Sequence, residues 1–95
     1  MLTKDTILEA LRNRSTQFVE LGVERIGLFG SYARGTAVAT SDVDIFVEMP
    51  ANFANLCALY STLEKEFKVK VDIVRHGEHL RQSFLDTLKK EILYA

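Results

Sequence analysis

The chain has 95 residues, 47% of them hydrophobic and 26% charged, a composition typical of one ordinary globular domain, and we expect that domain to span residues 1–95. Its 12 basic and 13 acidic residues leave a formal net charge of −1, which argues against a module for general nucleic-acid binding. The single cysteine, Cys57, excludes an internal disulfide and fits the reducing cytoplasm, and no apolar run approaches the length of a membrane span.

The first half of the sequence predicts two helical segments and two strands. Thr3 is a candidate N-cap, and apolar residues at helical spacing then predict a helix that ends at Gly22. The run Val23–Phe29 predicts a strand, followed by one or two helical turns that close at Gly35. A short loop of small residues leads to the second predicted strand, Asp42–Glu48.

The second half predicts two further helices separated by a third strand. Asn52 to about Phe67 shows the apolar spacing of an amphipathic helix, and Cys57 on its apolar face is expected to be a small core residue. Lys68–Val74 alternates like a strand, and a last helical pattern follows. Ile92–Tyr94 fits either the end of that helix or a short edge strand. The order of elements predicts an α/β (α+β) domain, with a small mixed sheet and helices on one face.

Two short motifs in the first half suggest chemistry on phosphates. Asp42 and Asp44 are two positions apart, so on a strand their side chains project from the same face. Neighbouring carboxylates repel one another unless a cation lies between them, and Mg²⁺ takes such oxygen ligands together with substrate phosphates. Gly30 and Ser31, where the first strand ends, can bring backbone N–H groups and a hydroxyl against a phosphate. The stretch therefore suits a triphosphate and its metal.

A third acid would complete the site. Asp72 lies on the polar face of the third predicted strand, and beside Asp42 and Asp44 it would form a three-carboxylate cluster suited to two-metal phosphoryl chemistry. Arg34 could steady a phosphate or cover the short helix with its apolar stem. Ser41 could bind the nucleotide or position the loop before the acids.

The combined pattern resembles the DNA polymerase beta-type nucleotidyltransferase superfamily. The likeness to its minimal nucleotidyltransferase (MNT) branch rests on three strings, Gly30-Ser31-Tyr32-Ala33-Arg34-Gly35, Ser41-Asp42-Val43-Asp44 and Val71-Asp72-Ile73-Val74. It covers essentially the whole chain. Members of this branch commonly act as antitoxins for HEPN-domain ribonuclease toxins.

We therefore expect a Mg²⁺-dependent nucleotidyltransferase. Gly30 and Ser31 would hold the β- and γ-phosphates, Asp42 and Asp44 would ligate two metal ions, and Asp72 would ligate the catalytic ion and help to take the acceptor's proton. The resemblance implies ATP as the donor of AMP and a tyrosine of a HEPN toxin as the acceptor.

The kind of acceptor is a separate expectation. Small-molecule adenylyltransferases of this superfamily carry an appended helical domain that walls the acceptor site, whereas this sequence ends soon after its third strand. A separate helical protein is therefore expected to bring the acceptor. Two alternatives stay open: an antitoxin that neutralises its partner by contact alone, and a catalytic subunit of a larger nucleotidyltransferase. The three acids favour the enzyme.

Overall fold

A computed structural model describes residues 2–95 as a four-stranded sheet with five helices. In chain order the elements are α1 (Lys4–Asn13), α2 (Ser15–Glu20), β1 (Arg25–Phe29), α3 (Gly30–Arg34), β2 (Val43–Glu48), α4 (Phe53–Phe67), β3 (Val71–Arg75), α5 (Gln82–Glu91) and β4 (Leu93–Tyr94). None of the helices in this part of the chain combines the length and the apolar character needed to cross a membrane.

The predicted first helix is divided in two. Thr3 caps α1 as expected, since its side chain accepts a hydrogen bond from the Thr6 amide at 3.2 Å. The helix ends because Arg14 leaves helical geometry, with φ −104° and ψ 14°. Ser15 and Thr16 follow the break, and both residue types favour helix ends over helix interiors. The expectation of one continuous helix up to Gly22 was therefore wrong.

The sheet has the strand order β3-β2-β1-β4 and mixes both pairing directions. β1 pairs antiparallel with β2, and β2 pairs parallel with β3, to which α4 makes the connection. The predicted mixed sheet is thus confirmed, as is the edge strand at Leu93–Tyr94. β3 begins later than predicted, because Lys68 takes a left-handed conformation (φ 57°) that terminates α4.

The main core lies between one face of the sheet and helices α1 and α4. It contains the inward residues of the central strands, among them Leu28 and Ile45, packed with Ile7, Leu59 and Leu63.

On the opposite face, α5 lies over β1, so the helices are not confined to one face of the sheet as the sequence predicted. The ring of Phe84 meets the ring of Phe29 edge to face at 6.0 Å. Gly27 is needed beneath this layer, since a Cβ there would lie 2.9 Å from Cγ1 of Ile92. Phe29 is the register partner of Asp44, so α5 ends on the face that carries the aspartates.

The buried face of α4 differs from the predicted one by a small rotation. Leu59 is fully buried, whereas Cys57 is exposed and Phe53 is 82% exposed. The buried stripe follows positions 56, 59, 63 and 67, which leaves position 57 to one side of it. The prediction that Cys57 is a core residue was wrong.

The outer edge of β3 is closed by a side chain of α4. The Tyr60 hydroxyl accepts a hydrogen bond from the Ile73 amide at 3.2 Å and donates one to the Ile73 carbonyl at 3.3 Å. Since β3 is the last strand on that side of the sheet, these bonds satisfy backbone groups that have no neighbouring strand.

Candidate active site

The sheet brings together the three aspartates predicted from the sequence. Asp44 and Asp72 are register partners on the parallel strands β2 and β3, so their side chains leave the same face of the sheet. Asp42 precedes β2 directly and has the same orientation by alternation. All three are partly exposed, so the face they share remains accessible to a ligand.

The electrostatics of this cluster are most unfavourable at Asp44. Partial burial raises the pKa of the Asp44 carboxyl above its ordinary value of 3.8, and the charges of Asp72 and Asp42 raise it further. The Arg34 guanidinium lowers the pKa but does not cancel these effects. Asp42 has a partial counter-charge of its own, because Lys70 Nζ lies 3.8 Å from Asp42 Oδ2. The site thus carries excess negative charge that a cation would offset.

The three acids do not form a ready-made metal cage. Within residues 2–95, no three His, Cys, Asp or Glu side chains converge as a group that could hold a metal ion by itself. Mg²⁺ in phosphoryl-transfer sites, however, usually takes one or two carboxylates and completes its shell with water and substrate phosphate. The oxygen donors of Asp42, Asp44 and Asp72, and the raised pKa of Asp44, fit an ion held jointly with a phosphate.

The predicted phosphate-binding loop is packed directly against this acidic cluster. α3 begins at Gly30, whose φ of +76° lies in the left-handed region that favours glycine. A Cβ at this position would collide with Oδ2 of Asp44, so any other residue would push the acid and the loop apart. Ser31 follows in the first turn of α3 and is partly exposed. The two halves of the predicted motif therefore form one continuous site.

An additional acid, Glu91, contacts this loop. Its Oε1 accepts a hydrogen bond from the Gly30 amide at 3.1 Å, and its Oε2 lies 3.0 Å from Nη1 of Arg34. This residue was not among those predicted from the sequence; it lies 61 positions from Gly30, at the end of an amphipathic helix. No local motif marks it, and only the packing of α5 on β1 brings it to the loop.

Ser41 has a local role in the structure. Its hydroxyl accepts a hydrogen bond from the Val38 amide at 2.8 Å, and its own amide donates to the Val38 carbonyl at 2.9 Å. These two bonds close the turn that leads into Asp42. These bonds fit the loop-positioning role considered for Ser41, and its role in nucleotide binding stays a prediction. Arg34 pairs with Glu91 beside the Gly30 loop, and its contact with a phosphate stays a prediction as well.

Comparison with known proteins gives sequence matches that span nearly the whole chain. The family described as the nucleotidyltransferase domain matches residues 4–95. The protein adenylyltransferase MntA of Thermococcus cleftensis is 36% identical over 99 residues, which cover 100% of this chain and 98% of that protein.

Solved structures give the same result for the fold. A structure described as a minimal nucleotidyltransferase is 26% identical and superposes with a TM-score of 0.81 over 97% of this chain and 95% of its own. A more distant match comes from a complex of a tri-AMPylated Shewanella oneidensis HEPN toxin with an MNT antitoxin. It is 18% identical, has a TM-score of 0.56 and covers 87% of this chain and 69% of its own. At that identity the likeness concerns the fold alone.

Proposed function

Because this chain belongs to the nucleotidyltransferase domain family and is a nucleotidyltransferase, we propose that it transfers AMP from Mg²⁺-bound ATP to a hydroxyl group of a separate protein. The observation that carries the proposal is the direct packing of the Gly30 loop against Asp44, with Asp72 in register beside it. Groups suited to a phosphate chain and groups suited to its cation share one partly exposed surface.

In the proposed reaction each residue has a role that follows from its position. The Gly30 amide and the Ser31 hydroxyl would bind the terminal phosphates, with Arg34 beside them. Asp42 and Asp44 would hold both ions of a two-metal site, and Asp72 the catalytic ion. Bound Mg²⁺ would supply charge neutralisation at the reacting phosphate and at the attacking and leaving oxygens.

The bonds that form and break define the transfer. Asp72 would help to accept the proton of the acceptor hydroxyl, whose oxygen then attacks the α-phosphorus of ATP. The bond between the α-phosphorus and the bridging oxygen breaks, and pyrophosphate leaves with the electron pair. The products are the AMP-modified protein and pyrophosphate.

We further propose that the acceptor is a tyrosine of a HEPN toxin and that the chain acts as its antitoxin. Two comparisons support this choice. The Thermococcus relative is named a protein adenylyltransferase, and the Shewanella complex contains an MNT antitoxin with an AMP-modified HEPN toxin. The partial exposure of the aspartates is compatible with an acceptor side chain that arrives from another protein.

A labelling experiment tests the proposal. The purified chain is incubated with Mg²⁺, ATP labelled at the α-phosphate and a candidate HEPN partner, and we expect label on a partner tyrosine and none in the presence of chelator. Asp42→Asn should lower the rate of labelling by about 100-fold or more, because a metal ligand is lost. Asp86→Asn removes an equal charge from an exposed site on α5 and should leave the rate unchanged.

Three results would count against parts of the proposal. Full labelling by Asp42→Asn would remove this acid from the mechanism. Label on a residue other than tyrosine would correct the acceptor. A stable complex with its partner, formed without any label, would favour neutralisation by contact alone.

A further inference from the structure

The contacts of Glu91 have the form expected of an anion seated in the phosphate-binding loop. One carboxylate oxygen accepts from the Gly30 backbone amide and the other pairs with the Arg34 guanidinium, at 3.1 and 3.0 Å. A backbone N–H beside a guanidinium is also the donor pair that binds phosphate oxygens. The loop therefore has the chemistry of an anion site, and a carboxylate of the same chain occupies it.

A phosphate and the Glu91 carboxylate cannot both use these donors fully. The Gly30 amide has a single proton, and at 3.1 Å that proton is already directed at Oε1 of Glu91. Both groups are anions, and the three aspartates Asp42, Asp44 and Asp72 already make this face of the sheet acidic. A phosphate that approached while Glu91 stayed in place would add to the repulsion.

The chain that follows Glu91 is held in place by contacts that do not involve the Glu91 side chain. The Glu91 side chain is 21% exposed and that of Arg34 is 51% exposed, so solvent reaches the ion pair and weakens it. The backbone that follows is held independently by the pairing of β4 with β1 and by Ile92, which packs over Gly27. A rotation of the Glu91 side chain alone would free both donors.

We propose that Glu91 is an internal competitor of the nucleotide: its carboxylate holds the Gly30 amide and Arg34 in this structure and must be displaced before a triphosphate chain can bind there. The proposal rests on the proposed function, since it concerns the phosphate subsite of that site. Because the Glu91 carboxylate must be displaced first, the apparent affinity for nucleotide would be lower. Glu91 would thus raise the nucleotide concentration needed to occupy the loop.

The test compares Glu91→Gln with the parent chain and with Asp86→Asn. Glutamine keeps the size of the side chain and can still accept from the Gly30 amide, but it removes the charge and the ion pair with Arg34. Calorimetric titration with Mg²⁺-ATP, and separately with tripolyphosphate, should show a dissociation constant about tenfold lower for Glu91→Gln, equivalent to about 1.4 kcal/mol. Asp86→Asn, on the same helix and exposed, should stay within about twofold of the parent.

A second readout locates the effect at the loop. In the parent, the amide resonance of Gly30 should move on addition of tripolyphosphate as the donor exchanges one acceptor for another. In Glu91→Gln the same resonance should already differ before addition and should saturate at lower tripolyphosphate concentration. Unchanged thermal midpoints would show that the fold is intact.

The outcomes separate the two proposals. Parent-like or weaker binding by Glu91→Gln would overturn the competitor role and make Glu91 a residue that supports the loop, while leaving the transferase proposal in place. An equal gain in Asp86→Asn would overturn it in favour of a general charge effect. Failure of every variant to bind either Mg²⁺-ATP or tripolyphosphate would overturn the proposed function together with this inference.

Discussion

At the scale of single residues, Asp44 joins the two halves of the site. Its carboxylate lies against Gly30, is the register partner of Asp72 and is influenced by both Arg34 and Glu91. It is also the residue at which partial burial and neighbouring acids act together to oppose ionisation. The geometry required for binding a metal therefore disfavours the charged form of Asp44 when no cation is bound.

This conflict predicts a pH-dependent gain in stability for Asp44→Asn. The folded-state pKa is raised above 3.8, so the folded chain favours the neutral acid, and the stability contributed by protonation is lost as pH rises through the folded pKa. In chelator at pH 7 the variant should therefore be more stable by about 0.5 kcal/mol after allowance for solvent screening. That is about 2–4 °C in melting temperature for a domain of this size.

The measurement is a series of melting curves from pH 7 down to pH 4 in chelator. The advantage of Asp44→Asn should shrink as pH falls, because the parent then becomes protonated as well. Asp86→Asn serves as the control for a general loss of negative charge. A lower melting temperature for Asp44→Asn at pH 7 would show that the carboxylate supports the fold and that its repulsion is not the dominant effect.

Alanine substitutions at two glycines separate the cost of a left-handed backbone from the cost of crowding Asp44. Gly30 and Gly35 have φ of +76° and +79°, but only at Gly30 would a Cβ meet Asp44, since Gly35 has open space around that position. Gly35→Ala should cost about 1 kcal/mol for the backbone alone. Gly30→Ala should cost more and should also weaken nucleotide binding.

Chemical denaturation and ATP titration of the two alanine variants make this comparison. Equal losses of stability with unchanged nucleotide binding would mean that the loop yields without moving Asp44. The contact between the two motifs would then carry no function.

At the scale of elements, the sequence predicts the strands well and the boundaries of helices less well. Side-chain alternation, a local property of strands, was sufficient to place Asp42 and Asp44 on one face. That Asp72 lies beside Asp44 depends on the parallel pairing of β2 with β3 and on its register, which the sequence alone does not fix. The break at Arg14 depends on small differences in helix propensity.

The contact of Glu91 could not be found in the sequence for a different reason. It depends on the packing of α5 against β1, which brings Glu91 to Gly30, a residue 61 positions earlier in the chain. A single sequence carries no local signal for such a contact. The spacing of residues within a motif cannot supply it either, because Glu91 lies outside the three motifs identified in the sequence.

Two substitutions test which side of α4 is buried. Leu59 is fully buried and Cys57 is exposed. Leu59→Ala should lower the free energy of unfolding by about 2–5 kcal/mol, since it removes core volume and leaves a cavity. Cys57→Ala should change it by less than about 0.5 kcal/mol.

Denaturant titration of both variants provides the measurement. Comparable losses in the two would place Cys57 back in the core, as the sequence pattern suggested. A small loss for Leu59→Ala would mean that neighbouring side chains collapse into the space.

At the scale of the whole molecule, the described chain is flat, with extents of 31 × 31 × 19 Å. The short dimension is about what one sheet and one layer of helices occupy, since packed layers are separated by about 10 Å. The helix layer packs on the main core at one face of the sheet, and α5 lies over β1 on the other face. The acidic face, which carries Asp42, Asp44 and Asp72, is partly exposed. That exposure is compatible with the proposed acceptor on a separate protein.

The Tyr60 hydroxyl has a consequence for how such a partner can attach. An extended segment from another chain could pair with Ile73 at the β3 edge of the sheet only by displacing this hydroxyl from the Ile73 amide and carbonyl. The same obstacle stands against the stacking of identical copies edge to edge. A single phenol oxygen therefore disfavours backbone pairing at Ile73, so at this edge a partner is expected to contact side chains.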